Sequence, residues 1–90
     1  MYLWDSKKSE ENKKKHGISF EEARDSIFEG PNIFAVGVAY DKGEQRHAVI
    51  GKFKGKYYAG IFTIIRQGIR IISVRRARHD EENQAKEKGF

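Results

Sequence analysis

The ten positions from Ser6 to Lys15 carry no apolar side chain, apolar residues crowd between Ile33 and Ala77, and the chain turns polar again from Arg78. This pattern predicts a packed centre with charged flanks. Ahead of the polar run, Tyr2-Leu3-Trp4 is a short apolar stretch suited to a strand, and Asp5 is a helix N-cap residue. Behind it, Gly17 supplies the left-handed position that ends helices, and Lys13 to His16 put positive charge at the negative end of the helix dipole. A capped, exposed helix of about ten residues between the Asp5 cap and the Gly17 stop is therefore expected, in spite of a disorder-like composition. Glu10 with Lys14 and Glu11 with Lys15 can add about 0.2–0.5 kcal/mol per pair. Ser19-Phe20-Glu21-Glu22 has the form of a capping box, and Ile18 can staple onto Ala23. Phe20, Ala23, Ile27 and Phe28 then share one face of a second helix over Phe20 to Phe28, which Gly30-Pro31-Asn32 stops.

Beyond Asn32 the period changes from 3.6 to 2. Strands are expected over Ile33 to Ala39, Arg46 to Phe53, Tyr57 to Arg66 and Ile69 to Arg76, with turns at Asp41-Lys42-Gly43, Lys54-Gly55 and Gln67-Gly68. The third strand is apolar on both faces, which places it centrally. Short links imply an antiparallel meander. The segment from Arg78, with only Ala85 apolar before Phe90, reads as a docked helix or a frayed tail. The expected architecture is α+β: two short N-terminal helices packed on a four-stranded antiparallel sheet, with the N-terminal strand a candidate fifth at one edge.

Ninety residues suit one domain, taken as 1–90, with a thin core. A net charge of +5 and a pI near 9.6 agree with a nucleic-acid partner and equally with a basic protein whose charge only aids solubility. The absence of cysteine excludes a disulfide framework and a thiolate metal site, and makes a reducing cytoplasm the natural compartment. No secretory segment or apolar run long enough for a membrane span is visible, and His16, His47 and His79 lack ligand spacing, so no metal or cofactor is expected.

The chemistry concentrates in the fourth strand. Simple alternation puts Arg70, Ile72, Val74 and Arg76 on one face, and Ile69, Ile71, Ser73 and Arg75 on the other. An arginine among Ile and Val is costly to bury unpaired, so Arg70 either meets a carboxylate such as Asp5 or Glu44 or lies on an open, charged face. Arg70, Arg75 and Arg76 suit phosphate binding and stabilisation of a phosphorane, and Arg46, Arg66 and Lys52 on neighbouring strands would extend a cationic face. Arg75 and Arg76 equally suit protection of an edge strand. His16 is a candidate general acid or base, with Lys15 beside it, and equally a cation finishing its helix. Trp4 can be core or a stacking surface for a base.

The ordered set Trp4-Asp5, Lys8, Asn12, Lys15-His16-Gly17, Ser19-Phe20-Glu21-Glu22-Ala23, Phe28, Arg46, Gly51, Arg70-Ile71-Ile72-Ser73 and Arg75-Arg76-Ala77 resembles the BrnT family of type II toxins, with Val74 standing where the family pattern has a small residue. The resemblance runs from Trp4 to Ala77. It implies a RelE-like fold and a cytoplasmic, metal-independent endoribonuclease that arrests growth by cutting RNA. It also implies a hetero-oligomer with a BrnA-type antitoxin carrying a ribbon-helix-helix DNA-binding part. Arg70, Arg75, Arg76 and His16 are the expected catalytic residues, with Lys15, Arg46, Lys52 and Arg66 binding RNA. A non-catalytic RNA- or DNA-binding module and a purely structural partner subunit are the competing expectations.

Overall fold

The computed structural model describes residues 1–34, 39–41 and 43–90. Along the chain it contains β1 (Tyr2–Leu3), α1 (Ser6–His16), α2 (Phe20–Ala23), a π-helical turn (Arg24–Phe28), β2 (Asn32–Phe34), β3 (Ala39–Asp41), β4 (Glu44–Phe53), β5 (Lys56–Ile65), β6 (Gly68–Arg76) and α3 (His79–Glu87). The sheet runs β1-β6-β5-β4-β2, with β3 pairing β4 as well. All neighbours are antiparallel except β1, which joins β6 in parallel with Tyr2 opposite Ile69. The N-terminal strand is thus the added edge strand. The expected strand from Ile33 to Ala39 is described only at its ends, because residues 35–38 lie outside the described residues, as does Lys42 of the expected turn before β4.

Local chemistry accounts for the N-terminal half. The Asp5 carboxylate accepts from the N–H groups of Lys7 and Lys8 at 2.8 and 3.3 Å, and Gly17 ends α1 at φ 78° with its N–H on the Lys13 carbonyl. Ser19 and Glu22 close the capping box that starts α2. The Glu10–Lys14 and Glu11–Lys15 ion pairs are not formed among the described residues; Lys13 instead reaches Glu22 at 2.8 Å and ties α1 to α2. That contact holds the Glu22 carboxyl below its ordinary range. What fixes α1 to the sheet is the buried Asn12. Its amide nitrogen donates to the Ile18 carbonyl at 2.8 Å, and its oxygen accepts from the Val74 N–H of β6 at 3.2 Å.

The second helix is not uniformly α-helical as its periodicity suggests. It stops at Ala23 and widens into the π turn, where the Glu29 N–H reaches back to the Arg24 carbonyl. The Ser26 hydroxyl donates to the Glu22 carbonyl at 2.6 Å and so competes with the backbone partner of that group. The two residues ending the turn then lie over two glycines of the sheet. A Cβ on Gly51 would stand 3.2 Å from the Ile27 backbone, and one on Gly60 would stand 2.8 Å from the Phe28 ring.

Ile18, Phe20, Ala23 and Ile27 form the main core with Val49, Tyr58, Phe62, Ile71 and Val74. Trp4, partly buried, packs against this cluster under the Arg24 guanidinium. The opposite sheet face carries a smaller cluster of Ile50, Tyr57, Ala59 and Ala85, which docks α3. The polar C-terminal segment is therefore a packed helix. The Tyr57 hydroxyl also donates to the Phe90 carbonyl behind it.

Two hairpins set the strand register. Lys54 and Gly55, both at positive φ, make a two-residue turn between Phe53 and Lys56. The next turn consists of Arg66 and Gln67 rather than Gln67-Gly68, since Gly68 already pairs with Ile65. Among the described residues, no helix is long and apolar enough to cross a membrane.

Candidate active site

β6 does not alternate simply. Ile61 of β5 stands opposite Ser73, but Phe62 stands opposite Ile71, so Ile72 is an extra residue, a β-bulge. The consequence for side-chain direction is large. Ile71 and Val74 both enter the main core, although three residues separate them. The face-sharing expected from strict alternation is corrected accordingly. Arg70, opposite Thr63, and Arg75, opposite Ala59, share the face on which α3 docks, and Arg76, opposite Tyr58, turns to the face of α1 and α2.

On the α3 face, strand parity adds Glu44, Arg46 and Lys52 from β4. The Arg70 guanidinium donates to the Glu44 carboxylate, one of the two partners its position suggested. Arg75 makes a two-pronged contact with Glu81 of α3, at 2.8 and 3.0 Å, and the same carboxylate accepts from the Arg78 N–H at 2.8 Å. The Arg75 hydrogen bond, against the opposing effect of burial, holds the Glu81 carboxyl below its ordinary range, and Glu81 in return raises the Arg75 guanidinium. Lys52 lies 5.0 Å over the Tyr57 ring. α3 covers the end of this face marked by Ile50 and Ala59, and Arg46, Thr63 and Arg70 lie toward the other end.

The remaining candidates sit elsewhere. Arg76 stacks over the Tyr58 ring, 5.6 Å from its centroid, and its Nε donates to the Tyr57 carbonyl at 3.3 Å. The Tyr58 hydroxyl donates to the His16 carbonyl at 3.4 Å, so Arg76 and the end of α1 flank one tyrosine. His16 and Lys15 line a cleft of about 250 Å³ with Lys8, Glu11, Ile72 and Ser73, on the side of β6 that α1 approaches. Arg66 does not join the cationic face. It lies in the β5–β6 turn and lines an apolar groove of about 570 Å³ with Phe34 and Ile64.

The sequence pattern passed over two residues of this face. Glu81 carries a usable signal, an acidic side chain three residues beyond the Arg78 that begins a helix. Thr63 carries a weaker one, a single hydroxyl in the run Ile61-Phe62-Thr63-Ile64-Ile65. A guanidinium row with carboxylates in contact can bind a phosphodiester, stabilise added negative charge and accept a proton.

The family model described as "Ribonuclease toxin, BrnT, of type II toxin-antitoxin system" matches residues 4–81, a stretch that includes every arginine of this face. No curated protein matches the chain.

Proposed function

The chain belongs to the BrnT ribonuclease toxins of type II toxin-antitoxin systems, and from that premise we propose that it cuts RNA without a metal ion on the sheet face carrying Arg46, Arg70 and Arg75. The observation that carries the assignment is the β-bulge at Ile72, which gathers Arg70 and Arg75 with Arg46 and Lys52 on one face. The reaction is attack of a 2′-hydroxyl on the adjacent phosphorus. The 2′-oxygen–phosphorus bond forms, the bond to the 5′-oxygen breaks, that oxygen takes up a proton from water, and the products are a 2′,3′-cyclic phosphate and a 5′-hydroxyl. Guanidinium groups stabilise the charge that builds on the phosphoryl oxygens. Glu44, in contact with Arg70, is the carboxylate positioned to take the 2′-hydroxyl proton. Arg75, tied to α3 by Glu81, has a structural share in its role. His16 and Lys15 in their cleft extend RNA contact around the β6 side.

A ribonuclease toxin of a type II system acts on RNA and has a cognate antitoxin. In this proposal the antitoxin is of the BrnA type, it binds DNA through a ribbon-helix-helix part, and the pair works in the cytoplasm.

The test is cleavage of RNA by purified protein in EDTA. Arg70→Ala is expected to fold normally and to lose about 10²–10³ in rate. Should Arg70→Ala and Arg75→Ala both cut at the parental rate, the site lies elsewhere, and Lys15→Ala and His16→Gln become the variants to compare. Intact RNA at high protein excess would favour the non-catalytic binding module.

A further inference from the structure

Thr63 is 3% exposed and its hydroxyl has no hydrogen-bond partner among the described residues. A buried, unsatisfied hydroxyl is a cost that valine, with the same shape and a higher preference for strands, would not carry. Its position explains what the hydroxyl is for. Thr63 stands directly opposite Arg70, and β5 lies between β6 and β4. The Arg70–Glu44 ion pair joins those outer two strands and therefore passes across β5 beside Thr63. Its members are themselves open to solvent, with side chains 41% and 44% exposed. The hydroxyl thus lies beside a contact that an incoming anion can replace.

Building on the active-site assignment above, we propose that Thr63 and Arg70 form one phosphate subsite, which Glu44 occupies in the free protein. The ligand is a phosphodiester group of RNA. On binding, Arg70 exchanges the Glu44 carboxylate for a phosphoryl oxygen, so its charge stays matched throughout. Glu44, released from Arg70, turns to the adjacent 2′-hydroxyl whose proton it takes, and the Thr63 hydroxyl donates to the same phosphoryl group as Arg70. The free protein leaves the hydroxyl unsatisfied, and the complex satisfies it.

The experiment compares Thr63→Val, Thr63→Ser and Arg70→Ala with the parent, measuring thermal melting and steady-state RNA cleavage in EDTA. Thr63→Val is expected to melt at or above the parental temperature while its kcat falls about 10–100-fold, the worth of one hydrogen bond to a charged group. Thr63→Ser, which keeps the hydroxyl, retains most of kcat. A fully active Thr63→Val beside an inactive Arg70→Ala would overturn the subsite and leave the active-site assignment standing. If Arg70→Ala is as active as the parent, the subsite fails, and the active-site assignment fails with it when Arg75→Ala is fully active as well. A Thr63→Val chain that does not fold would show that the hydroxyl has a structural partner, which contradicts the premise. Equal loss of kcat in Thr63→Ser and Thr63→Val would assign the effect to packing and overturn the proposal as well.

Discussion

The two faces of the sheet are held by different physics. Under α1 and α2, buried apolar side chains interlock and the polar groups among them find fixed backbone partners, as Asn12 does with Ile18 and Val74. On the α3 face, a small apolar cluster adjoins arginines paired with carboxylates, Glu81 buried and Glu44 open to solvent, and one buried hydroxyl has no partner among the described residues. Interlocked packing gives way only when the fold does. An exposed ion pair such as Arg70–Glu44 can be exchanged for another anion at little cost, because water and salt already screen it. The difference teaches where rigidity ends and binding chemistry begins, since both lie on the same strands.

This contrast breaks most readily at Phe20, 1% exposed in the centre of the helical face. Phe20→Ala is expected to cost about 3–5 kcal/mol in urea unfolding, a large part of the stability of so small a domain. Asn12→Ala comes next. It leaves the Val74 N–H and the Ile18 carbonyl without their partner, at about 1–3 kcal/mol for each group, and it frees α1 from the bulged strand.

The α3 face should respond less to truncation and more to pH. Glu81 has its carboxyl lowered in the folded chain by Arg75, so its contribution is fully present above the ordinary value of 4.5 and is lost as pH falls through the folded value. Glu81→Gln is therefore expected to cost about 1–2 kcal/mol at pH 7, reduced by the partial exposure of Arg75. That difference from the parent should vanish in acid melts. Hydrogen exchange should show α3 opening before α1 as pH drops; loss of both together would mean that the two faces are not independent. The smallest effect is at the Asp5 cap, where Asp5→Ala should remove about 1 kcal/mol and fray the start of α1.

What the chain reveals before folding follows the same division. Caps, the Gly17 stop and the Lys54-Gly55 turn depend on residues a few positions apart, and these were legible as written. The central place of β5 was legible too, from its two apolar faces. The π turn was not, because it depends on which carbonyl the Ser26 hydroxyl selects. The grouping of the arginines was hidden for a deeper reason. Alternation predicts faces only while the ladder stays in register, and the bulge that changes sides at Ile72 is a property of β5 and β6 together. Arg70 with Glu44 was visible as a demand for some carboxylate, whereas Arg75 with Glu81 awaited the docking of α3.

Asn12 offers a spectroscopic window on all of this. Its side-chain amide protons are held between a loop and the backbone of the bulged strand, so in an isotope-labelled sample they should give a resonance pair set apart from those of exposed amides. An RNA fragment titrated onto the opposite face would have to displace that pair if the bulge flexes in response, and would leave it still if β6 behaves as a rigid platform. One pair of cross-peaks, in an unmodified protein, would then report mechanical communication through one layer of sheet.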